Sequence, residues 1–290
     1  MDDITKENTQ WLFMLTSSQK PEDRHIYDIV FGITILLKKG IPIKNISLVM
    51  DDDSLRIRNI FFPLLGQNTV IHNYDKLPLL LASLNRRYIM IIVTGHGSIE
   101  GIDARLPIKP YQFLYTIKQY AKASTVLLFL GQCYAGIFDH LEIQKEQKLD
   151  GTYTPQIIII GATKIAVSMS TPVEYGDISW YANILLAAFF RWIDQPYDID
   201  GDSKYSITDA FKFIAYHTNG VSHQIEKQQY SKILQHLEQY KRLKEIPYDE
   251  LSLDERITKE AFEGSLPRGF IPQEPWILNP LLALKINVGL

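Results

Sequence analysis

Five short runs of the chain are almost unbroken in apolar residues: Trp11–Ser17 (WLFMLTS), Ile46–Met50 (ISLVM), Tyr88–Thr94 (YIMIIVT), Thr125–Gly131 (TVLLFLG) and Gln156–Gly161 (QIIIIG). A strand with one wet face alternates apolar and polar positions, whereas a strand covered on both faces need not. These runs therefore predict the buried strands of a parallel sheet. Between them the period changes. Ile26, Ile29, Val30, Ile33, Leu36 and Leu37 form one helical stripe, stopped by Gly40 with Pro42 just beyond. Pro110–Lys122 predicts a second helix, with Phe113, Ile117 and Tyr120 on one side. Strands alternating with helices predict an α/β architecture, a sheet of about six strands with helices on both faces.

The second half of the chain reads differently. Ser179–Asp194 and Ile207–His217 predict helices, and Ile225–Ile246 a long amphipathic one with Tyr230, Ile233, Leu234, Leu237 and Tyr240 on one face. A stretch containing Pro267, Pro272, Pro275 and Pro280 follows. Leu284, Ile286 and Val288 then alternate with other residues and predict a final edge strand. With no internal repeat and no low-complexity linker, the expected organisation is one domain over 1–220, with 221–290 a helical elaboration packed on it. Phe138–Pro155 is polar and charged and reads as a long exposed loop, of the kind that often carries function.

Composition narrows the classes. At 46% hydrophobic and 22% charged, the 290-residue chain is neither disordered nor fibrous. A net charge of −3 offers no basic footprint for nucleic acid. Runs such as Ile184–Phe190 fall far short of the ~18 apolar residues of a membrane span, so no membrane partner is expected. The polar, acidic start Met1–Asn8 is not a secretory signal, and the expected location is cytoplasmic. The single cysteine excludes a disulfide scaffold and a cysteine-rich zinc site.

That cysteine occupies a telling place. The strand ending at Thr94 runs into Gly95-His96-Gly97-Ser98, and the one ending at Leu130 into Gly131-Gln132-Cys133-Tyr134-Ala135-Gly136. Ligands of open parallel sheets bind beyond the carboxyl ends of strands. A thiol needs a base or cation nearby to become a useful thiolate, and an imidazole supplies it. His96 and Cys133 are therefore the candidate base and nucleophile, if the two strands are neighbours. Elsewhere, Asp198-Ile-Asp-Gly-Asp-Ser-Lys-Tyr-Ser-Ile-Thr-Asp209 places Asp198, Asp200, Asp202, Ser206 and Asp209 at positions 1, 3, 5, 9 and 12, the oxygen spacing of a calcium loop. Ser203 stands where such loops carry glycine, and Asp209 where they carry glutamate; the alternative is an acidic turn capping the next helix. Any Ca2+ there is structural. Asp51-Asp52-Asp53 reads as a cap for a helix over Ser54–Phe62.

The order of these motifs resembles the caspase-like cysteine peptidases, and within them the legumain-like branch, which includes a lipid-anchor transamidase. IMIIVTGHGS and VLLFLGQCYAG carry the likeness, with Trp11–Leu15, Arg24-His25, Leu36–Pro42, Asn45-Ile46, Asp51-Asp52 and Tyr175–Tyr181 (YGDISWY) in the same order, over about residues 9–220. The resemblance implies a caspase-like three-layer α/β/α fold and a cysteine endopeptidase that needs no cofactor for catalysis. It implies Cys133 as nucleophile, His96 as general base, and the backbone N–H groups of Gly97 and Cys133 as oxyanion hole. It also implies Arg24, Asp177 and Ser168 as walls of the pocket for the residue before the scissile bond. Asp177 reads equally as a helix N-cap. Glu22 falls near the position that orients the histidine in legumain, or is a solvated helix-start acid. Gly131 stands where legumain-like enzymes carry an acid, which leaves asparagine specificity open. Protein or peptide substrates and an activating or regulatory partner follow from the resemblance, as does cleavage within 138–155. The alternatives are a transamidase of the same fold and a non-catalytic scaffold.

Overall fold

The computed structural model describes residues 2–265 and 273–290. They fall into two compact units, Met1–Thr218 with Glu274–Leu290, and Asn219–Gln273. The first unit is built on β1 (Thr9–Leu15), α1 (Asp23–Lys38), β2 (Ile46–Met50), α2 (Leu55–Leu65), β3 (Ile71–His72), α3 (Leu77–Ser83), β4 (Tyr88–Thr94), α4 (Pro110–Tyr120), β5 (Thr125–Leu130) and β6 (Gln156–Gly161). A hairpin follows, β7 (Ser170–Tyr175) and β8 (Ile178–Asn183), then α5 (Ile184–Asp194). α6 (Ile207–Lys244) begins in the first unit and continues into the second, which also holds α7 (Leu253–Ser265). β9 (Trp276–Leu278) returns to the first unit.

The central sheet has seven strands in the order β9-β6-β5-β4-β1-β2-β3. All neighbours run parallel except β9, which is antiparallel to β6. The apolar runs end up covered on both sides, as their lack of alternation requires. Phe13, Met90, Ile92, Phe129 and Ile158 pack with Ile29, Ile33 and Leu36 of α1 and Phe189 and Trp192 of α5. The alternate positions Leu12, Ile89, Ile91, Leu128 and Ile157 pack with Leu77 and Leu81 of α3 and Phe113 and Ile117 of α4. The result is a three-layer α/β/α domain with a mostly parallel sheet. Gly32 lets α1 lie close on this core: a Cβ there would fall 2.5 Å from the ring of Phe190 and 2.8 Å from that of Phe13.

The mostly parallel sheet of about six strands is borne out, the short β3 and β9 at its two edges making seven. Other expectations are corrected. Ile286–Val288 is a strand, but it pairs in parallel with Asp2–Ile4 in a separate two-stranded sheet. The stretch from Ser179 to Asn183 is the second arm of a hairpin and not the start of a helix. Gly176-Asp177 makes the two-residue turn between Tyr175 and Ile178, with Gly176 at φ 59°. The two helices expected at Ile207–His217 and Ile225–Ile246 are one, since nothing between them stops a helix except Gly220, which costs only about 1 kcal/mol. Of that helix's apolar face, the side chains of Tyr230 and Ile233 lie outside the described residues, as do Pro267 and Pro272; Tyr240 stacks on Phe262 of α7 at 4.2 Å. No helix among the described residues is long and apolar enough to cross a membrane.

Candidate active site

β4 and β5 are adjacent and in register, with Val93 opposite Leu130. His96 and Cys133 each lie three residues beyond that pair, so the two loops leave the sheet side by side. They touch through Gly97: a Cβ there would come 2.3 Å from the carbonyl oxygen of Cys133 and 2.7 Å from Gln132 Cγ. Only glycine allows this approach. The cysteine loop is held in a sparsely populated conformation. Tyr134, directly after Cys133, is left-handed (φ 57°, ψ 26°), a state that non-glycine residues adopt where surrounding structure imposes it. Its N–H donates to Ala166 O at 2.7 Å, and Gly136 N–H donates to Lys164 O at 3.0 Å.

Cys133 is a free, partly buried thiol. The backbone N–H of Ser168 donates to its Sγ at 3.3 Å. Ser168 Oγ in turn accepts from Asn183 Nδ2 at 3.0 Å, and the same amide donates to Gly131 O at 2.5 Å. Asn183 also caps α5, its Oδ1 accepting from Leu186 N at 3.1 Å. One side chain thus braces both the approach to Cys133 and the segment that hydrogen-bonds its sulfur. Gln132, beside Cys133, is buried with neither amide atom partnered among the described residues.

His96 is half-exposed, and its Nε2 lies 2.6 Å from Glu22 Oε1. The other carboxylate oxygen, Oε2, accepts from Arg24 Nε at 2.6 Å. The Arg24 guanidinium, with His96 adding to it against partial burial, holds the Glu22 carboxyl down at about 2. A carboxylate on Nε2 fixes the proton there, leaving Nδ1 bare in the neutral ring. His96 makes no hydrogen bond to Cys133 among the described residues. A cleft of about 390 Å³ opens on this side, lined by Ser17, Lys20, Glu22, His96, Gly97 and Asp103 among others.

Beneath the surface lies a second tier. The ring of His25 meets that of His96 edge-on, centroids 5.1 Å apart. Burial, helped by the neighbouring Arg24 and His96, pushes the His25 imidazolium down to about 3, so the ring is neutral. Its Nδ1 lies 3.3 Å from Thr94 Oγ1, and Thr94 donates to Asp28 Oδ2 at 3.1 Å. Asp28 Oδ1 accepts from Trp180 Nε1 at 3.0 Å and from Asn183 N at 3.2 Å. Burial raises the Asp28 carboxyl to about 7 against these hydrogen bonds. Asp28 therefore links α1, the end of the histidine strand and the residue that braces the cysteine loop.

The structure brings together Cys133, Ser168, His96, Gly97, Glu22 and Arg24, but not all the expected residues. Asp177 is exposed at the hairpin tip. Arg24 reaches the opposite end, donating to Ser170 Oγ at 3.2 Å. At about 3.3 Å per residue the tip lies ~17 Å away, so Asp177 neither faces Arg24 nor caps a helix. The calcium-loop residues are brought together only in part. Asp198, Asp200 and Asp202 converge, but Asp209 turns away. Its Oδ2 accepts from Ser206 N and Oγ, its Oδ1 accepts from Ile199 N, and Ser206 Oγ accepts from Asp209 N at 3.1 Å. Ser206 and Asp209 form the capping box of α6, and Lys212 Nζ sits 2.8 Å from Asp200. The five expected oxygens do not form one cage. Sequence reasoning missed Asp28, Ser170 and Asn183. An acid inside the apolar stripe of α1 was the available signal for Asp28; Ser170 and Asn183 carried none.

The sequence matches no protein-family model, and a search of curated proteins finds none similar. Among solved structures the chain is similar to caspase-1 from Spodoptera frugiperda, at 10% identity and a TM-score of 0.46, over 97% of this chain and 88% of that one. It is also similar to a secreted C11 cysteine protease from Bacteroides thetaiotaomicron, solved with an irreversible peptide inhibitor. That match has 8% identity and a TM-score of 0.35, over 75% of this chain and 59% of the other.

Proposed function

We propose that the protein is a cysteine endopeptidase in which Cys133 and His96 act as a dyad. The observation that carries this reading is the register of β4 and β5, which sets a Glu22-tethered imidazole and a hydrogen-bonded thiol on adjoining loops at one height above the sheet. The Cys133 thiolate attacks the carbonyl carbon of a peptide bond. The resulting oxyanion faces the backbone N–H groups of Gly97 and Cys133. The C–N bond breaks and the amine leaves with a proton from His96 Nδ1. Water then gives a proton to Nδ1 and attacks the thioester, and the C–S bond breaks to release the acid and the thiolate. Glu22 holds the ring in the productive tautomer. Arg24, Ser168 and Ser170 border the cysteine side and meet the residue before the scissile bond. Substrates are proteins or peptides, and a processing step or a partner protein controls access.

The test is alkylation of Cys133 by iodoacetamide from mildly acidic to mildly alkaline pH, in wild type and His96→Ala. The expected result is a thiolate fraction at neutral pH well above that of a free cysteine, lost in the variant. His96→Ala is also expected to lower peptide turnover by about 10²- to 10⁴-fold, and Cys133→Ala to abolish it. Equal, slow labelling of both proteins, each shown to be folded, would reject the dyad.

A further inference from the structure

We propose that Glu22, His25 and His96 form a binding site for a divalent transition-metal ion of the zinc class, and that occupancy removes His96 from catalysis. The first half stands on the geometry alone; the second rests on the peptidase reading. One ligand atom from each of the three residues lies within 4.8 Å of the other two. Two imidazoles and a carboxylate are the donor set that zinc accepts while keeping a fourth position for water.

The independent observation is His25. His25 is only 7% exposed, and its Nε2 is buried with no hydrogen-bond partner among the described residues. The hydrogen-bond chain behind it fixes what that nitrogen is. With Asp28 as the carboxylate, the Thr94 hydroxyl gives its one proton to Oδ2, so towards His25 it accepts, and the proton of the His25 ring sits on Nδ1. Nε2 then carries a lone pair in a place where water does not reach it. A buried acceptor without a donor calls for an explanation, and a cation supplies one. The Asp28–Thr94–His25 chain engages the other nitrogen of the ring, as the groups behind a metal-bound histidine do, orienting the ring and raising its basicity. Arg24 does the same for Glu22, engaging Oε2 and leaving Oε1 towards the imidazoles.

The fit needs little movement. Zinc takes nitrogen and carboxylate oxygen at about 2.0–2.2 Å, which sets ligand atoms ~3.4 Å apart around a tetrahedral ion. Glu22 and His96 sit 2.6 Å apart on half-exposed side chains and must open slightly, while His25 stays fixed. The ion takes the place of the proton between Glu22 Oε1 and His96 Nε2. A neutral imidazole bound through Nε2 keeps its proton on Nδ1. Nδ1 can then no longer accept a proton from Cys133 or from water.

The test uses the folded full chain carrying Cys133→Ser, which removes the thiol as a rival ligand and makes the result independent of peptidase activity. Titration with Co2+ is expected to give the visible absorption of a four-coordinate ion, and competition of Zn2+ against a chromogenic chelator one ion per chain. Adding His25→Gln or Glu22→Gln is expected to weaken Zn2+ at least ~10-fold; Glu22 is half-exposed, so that variant is read even where His25→Gln fails to fold. No Co2+ spectrum, or affinity unchanged by Glu22→Gln, overturns the site. In a chain with the native Cys133, reversible loss of peptide cleavage at the Zn2+ concentration that fills the site supports the second half. Undiminished cleavage at that concentration overturns it and leaves the site standing. A chain that cleaves nothing even after limited proteolysis within 138–155, and whose Cys133 labels no faster than a free thiol, refutes the peptidase reading and the inhibitory role together, while the titration still decides the metal site.

Discussion

Asp28 and His25 are neighbours in one hydrogen-bond chain whose surroundings press on them in opposite directions. The folded Asp28 carboxyl keeps its proton up to about 7, against 3.8 for an unperturbed one. Its contribution to stability is complete below 3.8 and is lost as pH rises to about 7. The folded His25 ring protonates only near 3, against 6.5, so its contribution is present above 6.5 and is lost as pH falls towards 3. Asp28→Asn removes the first slope and leaves the second. Urea-unfolding midpoints across this range are expected to fall steadily with acid in the variant and to vary less in the wild type. The variant is also less stable throughout, because the amide cannot accept from Trp180, Asn183 and Thr94 together. At this scale the sequence was legible where chemistry met a strand end. His96 and Cys133 stand out because glycines flank them after apolar runs. Asp28 left only a faint mark, an acid set within the apolar stripe of α1, and its role shows once the fold closes over it.

At the scale of elements, the long apolar runs were readable because their pattern depends only on being covered from both sides. β2, β4 and β6 begin and end where the runs do. The elements that escaped are those whose identity lies in their partners. β3 has two residues and β9 three, too few to show a period. The hairpin β7–β8 did leave a local mark in Gly176-Asp177, a turn pair between strand-like arms, but its second arm merges into the apolar run of α5. β9 is held largely by Trp276, whose ring packs on Gly161 where a Cβ would fall 2.3 Å from it, and whose Nε1 donates to Thr163 O at 2.8 Å. Trp276→Ala is expected to cost ~3–5 kcal/mol, measured as a shift in the urea midpoint, because it empties a buried site and strands a carbonyl.

Across the whole molecule, burial is distributed unevenly between the two units. Every residue of β4 and β5 is buried. In Asn219–Gln273 the described buried side chains are few, among them Ser222, Leu243, Leu251 and Phe262. Opening free energy follows such differences. Hydrogen exchange is therefore expected to proceed sooner at the amides of Asn219–Lys244 than at those of β4 and β5; equal protection would show that the chain opens as one. The change in character read from the sequence at about residue 220 falls close to this division, although α6 crosses it without a break and no linker marks it. The antiparallel β9 also sets an order of events during synthesis. β6 leaves the ribosome with β5 on one side and nothing on the other, and it waits for Trp276 while the whole of Asn219–Gln273 is translated. Throughout that interval Ile157–Ile160 present an open edge to other nascent chains.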